Sequence, residues 1–247
     1  MSGAGADAER GAGADRSILR GEFPLQITVP WRLDGATHDP EAPLVLALHG
    51  QGMVEDSFAL LLQRLFVLPA RFLLPRGPWP VDIRSEARIG ASWYPYDGDP
   101  ERFRRELERT EALLLGLLRD VERRHGLRPR RRFLLGFSQG GYCGAVVALR
   151  HPEIFAGMII VAARVKNEIL TAEIEAAGRN HFEALLCHGR RDATVLPEAA
   201  EASRDALVAG GVGAELQLFD TGHGLGRPVV QAIGDWLRPR LASEGTS

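Results

Sequence analysis

The feature that most constrains the fold is an apolar run ending in a glycine-rich turn around one serine. Residues 132–141 read RFLLGFSQGG, in which a strand-like run passes through the turn into a helix-like stretch. Such a Gly-x-Ser-x-Gly turn presents the hydroxyl of Ser138 at its strained tip. Glycines at positions 136 and 140 fit there, because the turn presses against neighbouring backbone and leaves no room for Cβ atoms. Alone the motif is weak, because a chain with 28 glycines produces it by chance.

Strand and helix patterns alternate on both sides of this turn. Strands are predicted at 43–49, 71–74, 157–162, 182–188 and 214–219. The first of them, PLVLALH, is a continuous apolar run, which is typical of a strand buried on both faces of a parallel sheet. Helices are predicted at 54–66, 169–177, 197–209 and 226–241. Asp99, Pro100 and Gly126 predict the two ends of a further long helix. The pattern predicts a single α/β domain with a mostly parallel central sheet and helices on both faces.

Net charge and apolar content indicate which partners and which cellular location to expect. The formal net charge of -2 gives no general reason to expect nucleic acid or an anionic membrane. No stretch is long and apolar enough to span a bilayer, and the N-terminus lacks the apolar core of a signal peptide, so we expect no stable membrane insertion and a cytoplasmic location. Residues 1–17 nearly lack bulky side chains and are predicted to be a disordered tail. The domain is predicted over 18–242, with 243–247 frayed.

Neither a metal nor a cofactor is predicted. Cys143 and Cys187 lie in a predicted helix and a predicted strand, without metal-ligand spacing around them, and we interpret them as buried free thiols. The basic run 128–132 is either a phosphate-binding patch or a solvated lead-in to the next strand. The second interpretation is favoured because no aromatic residues alternate with the arginines.

A nucleophilic serine needs a histidine that accepts its proton and a carboxylate that orients the histidine. Asp192 follows the predicted strand 182–188, and His223 follows the predicted strand 214–219. The order Ser138, Asp192, His223 is the one that a strand–turn–helix nucleophile requires. Asp192 is alternatively a loop-capping residue, and Asp220 is closer to His223 along the chain but lies on the same loop. Three loops with suitable residues in the required order favour a catalytic triad.

The tetrahedral intermediate of acyl transfer needs donors for its oxyanion. The turn at 48–52 (LHGQG) follows an early buried strand. We assign the donors to the backbone N–H groups of Gln51 and of Gln139, the residue after the nucleophile. The same turn also serves simply to join a strand to a helix, which is compatible with this role.

The residues then resemble those of a known family. The motifs concerned are LHGxG (48–52), LPRGP (74–78), SWY (92–94), GFSQGG (136–141), HGxxD (188–192) and GH (222–223). Together they resemble the phospholipase/carboxylesterase family of α/β-hydrolases, which includes the acyl-protein thioesterases, and the resemblance spans about residues 21–242. It implies an α/β-hydrolase fold with a minimal lid and cleavage of carboxylic esters or thioesters without a cofactor. It also implies that Trp93 and Tyr94 lie near the pocket mouth, although by composition alone both are equally compatible with the core. We place Met53 in the same pocket.

Several functions remain open at this stage. The leading hypothesis is a serine carboxylesterase acting on a small-molecule ester, and an acyl-thioesterase or a lysophospholipase with the same triad is the alternative. A non-catalytic binding protein with this fold is the hypothesis from a different class. Family members often carry a Ser-Gly turn after the strand near 161–162, whereas this chain has ARVKNE at 163–168. The sequence therefore leaves the acyl group open, and it is consistent with either a monomer or a homodimer.

Overall fold

The computed structural model describes residues 27–35 and 37–242. The strands are β1 (Trp31–Asp34), β2 (Leu44–Leu48), β3 (Arg71–Pro75), β4 (Trp79–Ile83), β5 (Arg88–Ser92), β6 (Arg132–Phe137), β7 (Gly157–Val161), β8 (Glu183–Gly189) and β9 (Gly213–Phe219). The helices are α1 (Glu55–Leu62), α2 (Pro100–His125), α3 (Gln139–Arg150), α4 (Thr171–Arg179), α5 (Pro197–Ala209) and α6 (Arg227–Ala242). The predicted tail at 1–17 and the predicted frayed end at 243–247 lie outside the described residues.

Seven strands form one sheet in the order β1-β3-β2-β6-β7-β8-β9. All neighbours in it are parallel except β1, which pairs antiparallel with β3. The predicted mostly parallel sheet is therefore confirmed. Strands β4 and β5 form a separate antiparallel hairpin.

Helices cover both faces of the sheet, as predicted. Alternate residues of β2 and β6 belong to two different hydrophobic clusters: Leu134 packs on one face and Leu135 on the other. The first cluster includes buried residues of α2, α3, α4 and α5, and the second includes buried residues of α1 and α6. Strands buried on both faces explain why their sequences read as continuous apolar runs.

The long helix α2 begins and ends where its sequence predicts. Asp99 accepts hydrogen bonds from the N–H groups of Glu101 and Arg102, and Pro100 occupies the first helical position. Gly126, with φ of 63°, ends the helix in the left-handed region that glycine adopts easily. Local chemistry is sufficient to place this helix.

Strands β1, β4 and β5 were missed by the sequence analysis. Strand β1 is an edge strand of four half-buried residues, and β4 alternates half-buried with exposed residues and contains Pro80. Short, partly exposed strands lack the continuous apolar run that marks the central ones. Within 27–35 and 37–242, no helix combines the length and apolar character needed to cross a membrane.

Candidate active site

Ser138 lies at the tip of the turn between β6 and α3. Its backbone has φ of 52° and ψ of −119°, a conformation that residues with side chains rarely adopt. A Cβ atom on Gly136 would overlap the carbonyl oxygen of Gly140, and one on Gly140 would overlap that of Leu48. Both glycines are therefore required by close backbone approach.

Ser138, His223 and Asp192 form a continuous hydrogen-bonded chain. The Ser138 Oγ lies 2.8 Å from His223 Nε2, and His223 Nδ1 lies 2.8 Å from Asp192 Oδ2. The three residues follow β6, β9 and β8, whose carboxyl ends meet at one edge of the parallel sheet. An ionised carboxylate only accepts hydrogen bonds, so Nδ1 carries a proton and Nε2 is left to accept the serine proton.

Asp192 combines both roles considered for it. Its Oδ1 accepts hydrogen bonds from the N–H groups of Thr194 and Val195, each at 2.9 Å, while its Oδ2 accepts from His223. Burial opposes ionisation of this carboxyl, but these hydrogen bonds outweigh it and lower the pKa. Buried His188 supports the same loop, with its Nε2 2.8 Å from the carbonyl oxygen of Val195.

Asp220 does not take the place of Asp192. Its side chain is 83% exposed and pairs with Arg191, 3.3 Å from Nη2 to Oδ1. It therefore lies on the surface of the loop, where it is solvated and does not hydrogen-bond His223.

The turn that carries Gln51 lies against the serine. A Cβ atom built on Gly50 would come 3.4 Å from the Cβ of Ser138. Among the described residues, the Gln51 N–H donates to no other backbone group. Gln139 begins α3, where N–H groups have no partner within the helix. Both predicted donors lie beside Ser138, on residues that line the same cavity.

A buried hydrogen-bond network holds the turn that carries Gln51 against the turn that carries Ser138. His49 Nε2 accepts from the Gly77 N–H at 2.9 Å, so its Nδ1 carries the proton and donates to the Gly50 carbonyl oxygen at 2.8 Å. The Trp93 indole donates to the His49 carbonyl oxygen at 2.8 Å. The Gln139 side chain in turn accepts from the Trp93 N–H at 2.9 Å. Burial lowers the pKa of His49 to about 4 and keeps its imidazole neutral.

Buried polar side chains support the loops around the site. His49 and His188, which lie at the ends of predicted strands, are both buried and hydrogen-bonded to loop backbone. The side-chain role of Gln139 was missed. The motif marks its backbone N–H, and nothing in the local pattern indicates that its amide reaches a segment some 46 residues away.

A cavity of about 300 Å³ opens beside Ser138. Its walls are formed by Gln51, Tyr94, Tyr96, Phe103, Ser138, Gln139, Tyr142, Lys166, Thr194 and Val195. The structure contradicts two of the three residues predicted for this pocket. Trp93 is fully buried under the turn, and Met53 packs against the cluster on the opposite face of the sheet. Of the three, only Tyr94 lies on the cavity wall.

The described residues offer no metal site. Within 27–35 and 37–242, no three His, Cys, Asp or Glu side chains are grouped so that they would hold a metal ion. Cys143 and Cys187 are both buried free thiols, and burial raises the pKa of Cys187 to about 12. Neither thiol is a candidate nucleophile at neutral pH.

Comparison with known proteins assigns the family. The chain belongs to the phospholipase/carboxylesterase family, whose model matches residues 35–239, and it is accordingly a hydrolytic enzyme. It is 26% identical to a probable carboxylesterase of Oryza sativa over 82% of this chain and 89% of that protein. It is 28% identical to a probable carboxylesterase SOBER1-like of Arabidopsis thaliana, but that match spans about half of each chain, 52% and 49%.

A solved structure supports the fold. The crystal structure of esterase PE8 superposes with a TM-score of 0.70 at 24% identity, covering 87% of this chain and 99% of that one. The α/β-hydrolase fold is therefore shared. Which ester the present protein cleaves has to be argued from its own site.

Proposed function

We propose that this protein is a serine carboxylesterase that hydrolyses small esters through an acyl-enzyme intermediate. The observation that carries the proposal is the hydrogen-bonded chain from Asp192 through His223 to Ser138 at the wall of an open cavity. The tautomer of His223 and the charge of Asp192 suit nucleophilic catalysis. The carboxylate directs the imidazole proton to Nδ1 and leaves Nε2 to accept the proton of Ser138.

The reaction would begin with attack of the Ser138 Oγ on the ester carbonyl while His223 Nε2 takes the hydroxyl proton. The negative charge on the carbonyl oxygen would be stabilised by the N–H groups of Gln51 and Gln139. His223 then gives its proton to the departing alkoxide, and the alcohol leaves. Water attacks the acyl-enzyme with His223 again as base, which releases the acid and restores Ser138. Asp192 stays ionised throughout and stabilises the imidazolium.

The volume of the cavity favours small substrates. At about 300 Å³ it is at the lower end of the 300–1,000 Å³ found for ligand pockets. A thioesterase or lysophospholipase would use the same triad, because these activities differ in pocket shape rather than in mechanism. A long acyl chain would have to extend beyond this cavity, and we therefore rank short esters first.

The test compares the wild type with Ser138→Ala on p-nitrophenyl acetate and butyrate. We expect kcat/KM to fall by roughly 10⁴-fold or more, since loss of a triad nucleophile leaves only binding and oxyanion stabilisation. Ser85→Ala, at an exposed serine, is the matched control and should keep wild-type activity. Equal turnover by Ser138→Ala would refute the proposal.

A fluorophosphonate probe separates the enzyme from a non-catalytic binding protein of the same fold. The wild type and Ser85→Ala should become labelled at Ser138, and Ser138→Ala should not. A folded wild-type protein that resists labelling and hydrolyses none of these esters would favour the binding protein.

A further inference from the structure

Lys166 is the only lysine in the chain, and it lies on the wall of the cavity that contains Ser138. All other residues of that wall are uncharged at neutral pH: they are Gln51, Tyr94, Tyr96, Phe103, Ser138, Gln139, Tyr142, Thr194 and Val195. A single positive charge therefore faces an otherwise neutral wall that includes four aromatic side chains.

The Lys166 ammonium group lacks a hydrogen-bond partner in the described part of the protein. Its Nζ lies 5.4 Å from the centroid of the Phe103 ring and 5.9 Å from that of the Tyr142 ring, both within cation–π range. Within 27–35 and 37–242, none of its three N–H donors bonds a protein acceptor. Only 24% of the side chain is exposed, so solvation by water is also restricted.

Glu168 does not satisfy this charge. Its carboxylate accepts two hydrogen bonds from Arg164, at 2.8 and 2.9 Å, and these lower its pKa to about 2. The Nζ of Lys166 lies 3.8 Å from the same carboxylate, beyond hydrogen-bond distance. Because Arg164 already neutralises Glu168, the three side chains keep one positive charge in excess. Burial, followed by repulsion from Arg164, lowers the pKa of Lys166, and the attraction of Glu168 offsets these two effects only in part.

We propose that Lys166 binds an anionic group of the substrate, and that the preferred esters carry a carboxylate a few bonds from the scissile carbonyl. The inference rests on the proposed function, because it places the ester carbonyl at Ser138. Both residues line one small cavity, so one compact molecule reaches both. A carboxylate there would form charge-assisted hydrogen bonds in a partly desolvated site, where such bonds are strong.

A neighbouring cavity leaves room for the remainder of the substrate. It measures about 680 Å³ and shares Tyr96, Phe103 and Lys166 with the first. Lys166 therefore lies at the junction of the two spaces. The carboxylate belongs either to the acyl part or to the alcohol part of the ester, and the test contains an arm for each.

The experiment measures kcat and KM by acid release at constant pH for two matched ester pairs. Monoethyl adipate against ethyl hexanoate tests an anion on the acyl part, and 4-acetoxybutanoate against butyl acetate tests one on the alcohol part. The variants are Lys166→Met, which keeps a long unbranched side chain without the charge, and Lys166→Arg, which keeps the charge. The neutral esters report any general damage to the site.

We expect the wild type to prefer at least one anionic ester over its neutral partner. Lys166→Met should lower kcat/KM for that ester about tenfold or more, chiefly through KM, and change the neutral ester less than about threefold. Lys166→Arg should recover part of the loss. Added salt should weaken turnover of the anionic ester alone.

The outcomes separate this inference from the proposed function. If the wild type cleaves neutral esters and Lys166→Met affects both members of a pair equally, the anion site is refuted and the esterase stands. If Ser138→Ala matches the wild type on every ester, the esterase itself is refuted.

A second measurement does not depend on turnover. Because Lys166 is the only lysine, the rate at which an amine-reactive acetylating reagent modifies it can be followed on one peptide by mass spectrometry. Adipate should slow this modification in Ser138→Ala, and hexanamide should not. Equal rates with and without adipate would contradict the proposal.

Discussion

At the scale of single residues, the site depends on buried polar side chains whose partners come from distant parts of the chain. His49 is fully buried, and its two ring nitrogens join the loop around Gly77 to the turn that carries Gln51. A buried imidazole of this kind holds the turn only while it is neutral, because protonation removes the acceptor that Gly77 requires. The position of the proposed oxyanion donor therefore depends on the charge of a residue that does not touch the substrate.

The stability of the protein should accordingly depend on pH through His49. Its pKa is about 4 in the folded protein, against 6.5 as the reference value. Between pH 4 and pH 6.5 the unfolded chain binds more protons at this residue than the folded protein does. The stabilisation contributed by neutral His49 is therefore complete above about pH 6.5 and is lost as the pH falls towards 4. The whole difference between the two pKa values corresponds to about 3 kcal/mol in the free energy of unfolding.

The substitution His49→Gln tests this pH dependence of stability, with urea unfolding measured at pH 7 and at pH 5. The amide keeps an acceptor for the Gly77 N–H but does not titrate. From pH 7 to 5 the wild type should lose about 2 kcal/mol more free energy of unfolding than the variant. Other titrating groups are common to both proteins and cancel. Identical pH dependence of the two would contradict the expectation.

At the scale of elements, the hairpin of β4 and β5 supports the turn after β2. The Gly52 N–H donates to the Ala91 carbonyl oxygen at 2.8 Å, and the Ala91 N–H donates to the Met53 carbonyl oxygen at 3.0 Å. The guanidinium of Arg88 adds a hydrogen bond to the Gly52 carbonyl oxygen at 2.7 Å. The β4–β5 hairpin, which the sequence analysis missed, thus positions the backbone of the turn after β2, which the sequence analysis found.

Gly90→Ala should disturb the active site, because Gly90 lies in the hairpin directly against Gly52 of the turn. A Cβ atom there would overlap the carbonyl oxygen of Gly52, which is backbone and has to move. We expect kcat/KM for p-nitrophenyl butyrate to fall by about 10–100-fold, since small displacements at a site cost that much.

The matched control is Gly116→Ala, within α2, where an added Cβ meets no atom within 4 Å. It should leave activity unchanged and raise the free energy of unfolding by about 0.5–1 kcal/mol. Wild-type activity in Gly90→Ala, measured beside this control, would show that the hairpin does not position the turn.

At the scale of the whole molecule, the site is built on a sheet that is buried on both faces. Strand β6 leads directly to Ser138 and has hydrogen-bonded neighbours on both sides. Its neighbouring residues Leu134 and Leu135 are both fully buried, in different hydrophobic clusters. The helices on the two faces therefore both contribute to the stability of the strand that carries the nucleophile.

Leu134→Ala and Leu135→Ala should each lower the free energy of unfolding by about 2–5 kcal/mol, because each leaves a cavity in a close-packed layer. Leu60→Ala is the control, since Leu60 is 66% exposed, and should stay within about 0.5 kcal/mol of the wild type. Denaturant unfolding at one pH checks all three. If either core variant behaved like Leu60→Ala, packing on the sheet face that holds the substituted leucine would contribute little to stability.

Much of the fold was predictable because its signals are local. Continuous apolar runs predicted the central strands, and the residues around Asp99 and Gly126 predicted both ends of α2. The triad candidates were predictable for a related reason: in a parallel sheet, residues after successive strands meet at one edge. The half-buried strands β1, β4 and β5 were not, because their patterns resemble those of loops.

The sequence by itself determined the class of the protein: the succession of strands and helices, the strained turn around Ser138, and the order of Asp192 and His223 behind it. Only the tertiary structure decided what surrounds the serine. It turned Trp93 and Met53 away from the cavity and brought Lys166 to its wall. The physical reason is that a turn or a buried strand is specified by neighbouring residues, whereas a cavity is bounded by segments whose relative positions are set by packing.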